Sequence, residues 1–466
     1  MNLVSCQDLT FTYQHQTQAS IKDINLTVKQ GETILICGAS GSGKTSLTRI
    51  INGLAPNYLQ GKLTGQAKTS HLVAGSAPIE AYVPLVATVF QNPKTQHFAT
   101  NTTHELAFTL ENLGKPADKI QWTIDHLCEI FSCQQLLDRN IFDLSGGEKQ
   151  QVALLAATTT RPPLLILDEV TSNLDHAAIQ KLRRLIQRIQ AKGASLIILE
   201  HRLEWAVDLV DRFIYMEDGQ ITREWSKEEF TQLKDQSLHN LGLRSTNLSR
   251  QRQELQEKAK QSVTGDLQCQ QLALGYSKKD PIIQSLDLSF NKGEITGLIG
   301  PNGVGKTTLA QTLTGLLKPL KGQIRYLGQK QSRHQLLNQA FLVMQDPNFQ
   351  LFSETVKKEV LLQAKYPDQY HSVMKQLHLI EFEDRHPMTL SGGQKQRVAV
   401  ASAVLSGKEI IIFDEPTSGL DYWNMQSMGQ ILQQLAQAGK IVIVITHDEE
   451  LACEYCDRIV DFSSFE

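Results

Sequence analysis

The sequence predicts an α/β fold made of two tandem copies of one domain, each a set of core strands with helices between them. Three observations predict it. Motif strings recur in the same order in both halves of the 466-residue chain. Short apolar runs alternate with helical stretches, and each run ends on a polar motif residue. In both halves a glycine loop ending in lysine sits between an apolar run and a helix. Strand–loop–helix units of this kind put ligands at the carboxyl ends of strands.

Composition fits a folded chain of more than one domain, with 41% apolar and 20% charged residues. The net charge of −3, from 46 Lys+Arg against 49 Asp+Glu, argues against binding a polyanion by bulk charge, and no nucleic-acid partner is expected. The longest apolar runs, such as Leu164–Leu167 and Ile441–Ile445, are far short of the roughly 20 residues of a spanning helix. The first residues lack the pattern of a secretion signal, so the expected place is the cytosol, with any membrane contact peripheral. Cys453 and Cys456 form a CxxC. With no second CxxC nearby, it reads as part of an amphipathic helix and not as a metal or redox site.

The repeat sets the domain order. GASGSGKTS (Gly38–Ser46) pairs with GPNGVGKTT (Gly300–Thr308), VFQNP with VMQDP, LSGGEKQ with LSGGQKQ, LLILDE with IIIFDE, SNLD with SGLD, and LEH with ITH. Lys44 and Lys306 lie 262 residues apart, and Gln91 and Gln345 lie 254 apart. Ser145 and Ser391, Glu169 and Glu415, and His201 and His447 all lie 246 apart. The first copy therefore carries eight extra residues before Gln91 and eight more before Ser145, expected as surface insertions. Domains are expected at 1–225 and 266–466, joined by a polar, partly helical, solvated linker at 226–265.

The GxxxxGK[ST] strings call for phosphate. Their glycines let backbone N–H groups turn inward, and the following helix adds its positive end. The first loop comprises Gly38, Ala39, Ser40, Gly41, Ser42, Gly43, Lys44, Thr45 and Ser46. The second comprises Gly300, Pro301, Asn302, Gly303, Val304, Gly305, Lys306, Thr307 and Thr308. Lys44 and Lys306 are expected at the β- and γ-phosphates, Thr45 and Thr307 on Mg²⁺, and Ser46 and Thr308 at the α-phosphate. Asp168 and Asp414 end apolar strands and precede Glu169 and Glu415. Paired carboxylates at a strand end need a cation or solvent. The Asp is expected to order the Mg²⁺ shell and the Glu to polarise the attacking water.

His201 and His447 each follow a second apolar strand, 32 residues after the Glu. A satisfied core histidine is one reading. A γ-phosphate contact that also orients the Glu is the other, favoured by the identical offset. Gln91 and Gln345 end short strands and can bond the metal or the water. Ser145–Gly147 and Ser391–Gly393 open helices and offer N–H groups and a hydroxyl to an anion. Tyr13 and Tyr276 precede their loop lysines by 31 and 30 residues, where an aromatic can stack on a base or simply pack in a strand.

Taken together, the phosphate loop, glutamine, LSGG signature, LxLDE strand, SxLD turn and histidine resemble the ATP-binding cassette family over nearly the whole chain. The resemblance implies two tandem P-loop ABC ATPase domains, each with a mixed core sheet, an antiparallel β subdomain and a helical signature subdomain. It implies that the two domains of this chain pair head to tail. One ATP site then joins Lys44, Thr45, Gln91, Asp168, Glu169 and His201 to Ser391 and Gly393. The other joins Lys306, Thr307, Gln345, Asp414, Glu415 and His447 to Ser145 and Gly147. The strings QNPKTQHF and QDPNFQLF, each followed by an acidic helix, and EHRLEW resemble the ATPases of energy-coupling-factor importers. That resemblance implies a membrane-embedded T-type partner, a small substrate-binding membrane protein, a peripheral place on the cytoplasmic face of the cell membrane, and uptake of a vitamin, a vitamin precursor (thiamine-related compounds included) or a metal ion.

The halves differ at several motif positions. Glu148 and Gln151 stand where Gln394 and Arg397 stand, Val170 where Pro416 does, Asn173 where Gly419 does, and Glu200 where Thr446 does. None removes a catalytic group, so both sites are expected to hydrolyse ATP. The rival readings are a soluble tandem cassette protein acting on the ribosome and a sugar-importer ATPase. The first usually has a strongly basic linker, and the second typically has one degenerate site.

Overall fold

The computed structural model describes residues 2–465 apart from 173, 260, 261 and 263, so Asn173 lies outside the described residues. The chain divides into two compact units, Met1–Thr246 with Asp421–Trp423 and Asn247–Leu420 with Asn424–Glu466.

In the first unit the central strands Thr33–Cys37 and Ser195–Leu199 are buried at every residue. Such strands read as unbroken apolar runs because both sheet faces are covered. Alternate side chains go to opposite faces. Ile34, Ile36, Ile197 and Leu199 join one core cluster, whereas Leu35, Cys37, Leu196 and Ile198 join the other. The sheet order is Gln220–Ser226, Arg212–Glu217, Thr33–Cys37, Ser195–Leu199, Leu164–Asp168 and Val86–Val89. The first pair is antiparallel and the rest are parallel. A second sheet in this unit pairs Ile21–Lys29, Asn2–Tyr13, Gly61–Thr69 and Leu72–Val73 in antiparallel order.

The second unit repeats the antiparallel sheet with Ile283–Phe290, Leu267–Leu274, Lys321–Tyr326 and Gln329–Lys330. Its core sheet runs Ala340–Val343, Ile410–Asp414, Ile441–Ile445, Ile295–Ile299 and Arg458–Asp461, all parallel. A mixed core sheet is thus found in the first unit. Among the described residues the second has no counterpart of the antiparallel edge strand Gln220–Ser226.

The eight extra residues before Ser145 were expected in loops, but they lengthen helices. Thr102–Asn112 and Ala117–Phe131 stand where the second unit has the shorter Val356–Leu361 and Tyr370–Gln376. The stretch 226–265 is also more structured than its polarity suggests. Phe230, Leu238 and Leu243 are buried in the first unit's core, with Phe230 stacked on Phe213 at 3.9 Å. Helix Ser249–Lys258 belongs to the second unit. There Arg252 pairs with Glu449, and Lys258 Nζ donates to the carbonyls of Cys453 and Cys456. All seven cysteines are free and buried. No described helix is long and apolar enough to cross a membrane.

Candidate active site

Each phosphate loop joins a buried strand to an eight-residue helix, Lys44–Ile51 and Lys306–Leu313. Gly43 and Gly305 cap these helices at φ of 99° and 102°, where an L side chain is strained. At Gly43 a Cβ would also lie 2.6 Å from the Ser20 carbonyl. Neither cap makes a side-chain hydrogen bond to the helix, so the first-turn amides are left for an anion. Lys44 and Lys306 are buried. Their ammonium groups donate to the loop carbonyls of Gly38 and Ala39 at 2.8 and 2.9 Å, and of Gly300 and Pro301 at 2.6 and 2.7 Å. Burial pushes the Lys44 pKa down, against the pull of Glu169, Asp421 and Asp168.

Asp168 and Asp414 close the strands beside the loop helices. Burial pushes Asp168 up to about 6, with Glu169 adding to the rise and Arg49 and Lys44 opposing it. Burial also raises Asp414, against Thr307 and Lys306, and Thr307 Oγ1 donates to Asp414 Oδ2 at 2.8 Å. A carboxylate costly to ionise, beside a hydroxyl and a phosphate loop, fits a divalent cation that keeps phosphate and water ligands. Among the described residues no three His, Cys, Asp or Glu side chains form a protein-only metal cage. Family members bind ATP, normally with Mg²⁺, which neutralises charge between the β- and γ-phosphates.

Glu169 and Glu415 follow at φ of 49° and 51°, a left-handed backbone that non-glycine residues adopt at some energetic cost. The neighbouring strand holds them there, because their N–H groups donate to the carbonyls of Leu199 and Ile445 at 2.9 Å. This turn swings each carboxylate off the sheet and toward the histidine. His201 Nε2 lies 3.3 Å from Glu169 Oε1, and Gln91 Nε2 donates to Glu169 Oε2 at 2.6 Å. His447 Nε2 lies 3.5 Å from Glu415 Oε1 and 2.8 Å from Asn302 Oδ1 of the loop. The first unit therefore gathers Gln91, Glu169 and His201, and the second gathers Glu415, His447 and Asn302. Gln345 is exposed, just after the strand Ala340–Val343.

The signature serines cap helices Gly146–Thr158 and Gly392–Leu405 in reciprocal capping boxes, with Glu148 and Gln394 as partners. Gly147 and Gly393 lie in the first turns. The tyrosines are not equivalent. Tyr13 is half-buried edge-on to Phe11, and its hydroxyl donates to Ser46 Oγ and accepts from Arg49, both at 3.2 Å. Tyr276 is 69% exposed, and its hydroxyl lies 3.5 Å from Gln311 Oε1. Arg49 was missed from sequence. It lies in the loop helix, five residues after the lysine, and its charge also reaches Asp168.

A family profile described as ABC transporter matches residues 21–172 and 283–418. A Treponema denticola protein, by name an ABC transporter ATP-binding protein, is 39% identical over 471 residues, covering 99% of this chain and 95% of that one. A structure titled as a ribosome-bound archaeal Pelota and ABCE1 aligns at a TM-score of 0.68 with 22% identity, over 97% of this chain and 76% of that one, a likeness of fold. A cbiO1 chain from Clostridium perfringens, titled part of a cbiONQ ABC transporter complex, aligns at 0.46 with 24% identity over 52% and 94%. The twice-matched profile, the full-length relative and two complete sets of phosphate loop, Asp–Glu strand end and histidine agree: the chain belongs to the ABC transporter ATP-binding family and carries two of its ATPase domains in tandem.

Proposed function

We propose that this chain is the ATP-hydrolysing subunit of an energy-coupling-factor type importer, driving uptake of a vitamin, a vitamin precursor or a metal ion. On this reading Glu169 and Glu415 polarise the attacking water. His201 and His447 hold those carboxylates and meet the γ-phosphate. Lys44, Lys306 and the loop amides bind the phosphates, and Asp168, Asp414, Thr45 and Thr307 hold Mg²⁺. The two domains pair within one chain, and that pair sits as a peripheral subunit on the cytoplasmic face of the membrane. The transported compound does not touch this chain.

The observation that carries the reading is an exposed phenylalanine just beyond each glutamine, its backbone anchored by a buried carboxylate. Phe98 and Phe352 are 73% and 76% exposed. Behind each, one buried carboxylate accepts two consecutive backbone N–H groups. Glu105 takes those of Phe98 and Ala99 at 2.9 and 2.8 Å, and Glu359 takes those of Phe352 and Ser353 at 2.8 and 2.6 Å. Phe98 also stacks on Phe108 at 4.8 Å. A large apolar side chain left in water on a hydrogen-bonded backbone suits a partner that covers it. The backbone from Gln91 to Phe98 offers a short route from that contact to Glu169.

The test is recovery of membrane proteins with the tagged full chain from detergent-solubilised membranes. The expected result is a small set of integral proteins, lost from the Phe98→Asp, Phe352→Asp double variant. Recovery with ribosomes and not with membranes sinks the importer reading in favour of a soluble tandem ATPase.

A further inference from the structure

We propose that Glu200 is a positioning residue of the first ATP site, a carboxylate clamp between the turn after Glu169 and the backbone of His201. In the second site Asp448 holds the corresponding threonine from the other side of the histidine, while the histidine amide goes to Glu415. This rests on the reading of Glu169 and His201 as part of an ATP-hydrolysing site.

Three donors converge on the two oxygens of Glu200. Its Oε1 accepts from the Thr171 amide at 3.2 Å and the Thr171 hydroxyl at 2.6 Å. Its Oε2 accepts from the His201 amide at 3.1 Å. Glu200 is 2% exposed and Thr171 is fully buried. Thr171 lies two residues after Glu169, so the clamp ties together the two backbone segments that carry the facing Glu169 and His201 side chains. A buried carboxylate persists only when its oxygens are satisfied, and here donors from those two segments satisfy it.

The second unit has the same threonine, Thr417, and no carboxylate before its histidine. Thr446 stands there, and its hydroxyl accepts from the Asp448 amide at 2.9 Å. The Thr417 hydroxyl donates instead to Asp448 Oδ2 at 2.7 Å. The His447 amide donates to Glu415 itself at 3.3 Å. Asp448 also caps helix Glu449–Tyr455. The first unit has Arg202 at that place and forms turns and a short 3-10 segment, Val207–Leu209. So the first site takes the histidine amide away from its catalytic Glu and gives it to Glu200, leaving Glu169 to Gln91 and the His201 ring.

The charged groups acting on Glu200 are Glu169 and Arg202, with His201 adjoining. Burial pushes the Glu200 carboxyl up to about 7, against the Thr171 donors and Arg202. Above that pH the ionised group matches its three donors. Below it the added proton meets a pocket of donors, and the clamp loosens.

The experiment uses the full chain with Glu415→Gln, which silences the second site, and measures ATP turnover from pH 6 to 9. Adding Glu200→Gln puts an amide NH₂ against an N–H or O–H donor. The expected result is a turnover about tenfold lower, a KM for ATP within about twofold, and loss of the activity rise near pH 7. Adding Glu200→Thr with Arg202→Asp instead recreates Thr446–His447–Asp448. Turnover should return to within about threefold of the parent, with no rise near pH 7. The proposal is overturned if Glu200→Gln keeps the parent's turnover and pH profile. It is also overturned if the Thr–His–Asp variant folds to the parent's melting temperature yet stays slow, and this variant decides the matter should Glu200→Gln fail to fold. A parent that binds ATP without hydrolysing it overturns the underlying hydrolytic reading instead.

Discussion

Gln91 Nε2 lies 2.6 Å from Glu169 Oε2, so the residue that starts the segment leading to Phe98 also holds the carboxylate beside His201. Movement of that segment therefore changes how Glu169 is held. Replacing Gln91 with Glu sets a like charge at that distance and favours the protonated form of the pair. In the Glu415→Gln chain, Gln91→Glu should lower turnover at least tenfold, and Gln91→Ala roughly threefold to tenfold. Phosphate release measured with both variants checks the order.

On the proposed reading both sites carry the full hydrolytic set, with Glu169 and Glu415 as the water-polarising carboxylates. Glu169→Gln and Glu415→Gln should each remove a substantial share of turnover, and the pair should abolish it while ATP still binds. A single variant that turns over at the wild-type rate shows that its site is not catalytic.

Asp168→Asn should trade activity for stability. The folded pKa of about 6 lies above the ordinary 3.8, so ionised Asp168 disfavours the fold increasingly as pH rises between those values, and in full above them. The shift corresponds to at most about 3 kcal/mol, reduced by the partial exposure of the side chain. Thermal unfolding without nucleotide should show Asp168→Asn melting higher than wild type at pH 8, with a smaller gap at pH 5 and Mg²⁺-dependent hydrolysis lost. A lower melting temperature at pH 8 contradicts this account.

Glu105 works in the opposite sense. Burial raises its pKa, but His97 and the amides of Ala99 and Phe98 outweigh that, and the carboxyl sits below its ordinary range. Its contribution to stability is present above the unfolded value of about 4.3 and is lost as pH falls through the folded value. Glu105→Gln should cost about 1–2 kcal/mol at pH 7 and less at pH 4, read from urea midpoints.

Phe230→Ala should cost about 3–5 kcal/mol of first-unit stability, because it empties a fully buried position against Phe213. The residue lies in the stretch read from sequence as a solvated linker. A loss below about 1 kcal/mol in chemical unfolding goes against its place in the core.

What was legible from sequence follows from how each feature is written in the chain. The core strands carry unbroken apolar runs, such as Ile34–Cys37 and Ile441–Ile445, because the sheet is covered on both faces. The phosphate loops, Asp–Glu pairs and histidines are contiguous strings at repeated offsets. The docking of 227–246 was not legible, because its apolar residues, Phe230 and Leu233 then Leu238, Leu241 and Leu243, come in two short groups within polar text, too few for a sustained helical stripe. Glu200 was visible as a difference from Thr446. Its partner Thr171 lies 29 residues away, and no periodicity announces a hydrogen bond between two loops. The unequal tyrosines depend on Arg49 and Ser46 beside Tyr13, a contact that no spacing rule supplies.

The carboxylate that reaches Thr171 or Thr417 has a consequence for the ancestry of the two halves. Their strict register invites recombination between the duplicated coding segments. A crossover inside the three codons around the histidine is different from one elsewhere. Joining Glu200 to the aspartate of the other half aims two acids at one threonine, and the reciprocal product leaves that threonine with neither. Each triplet, Glu–His–Arg or Thr–His–Asp, should therefore be exchangeable between the halves only as a whole, and a chimera that splits either one should melt lower than one that moves it intact.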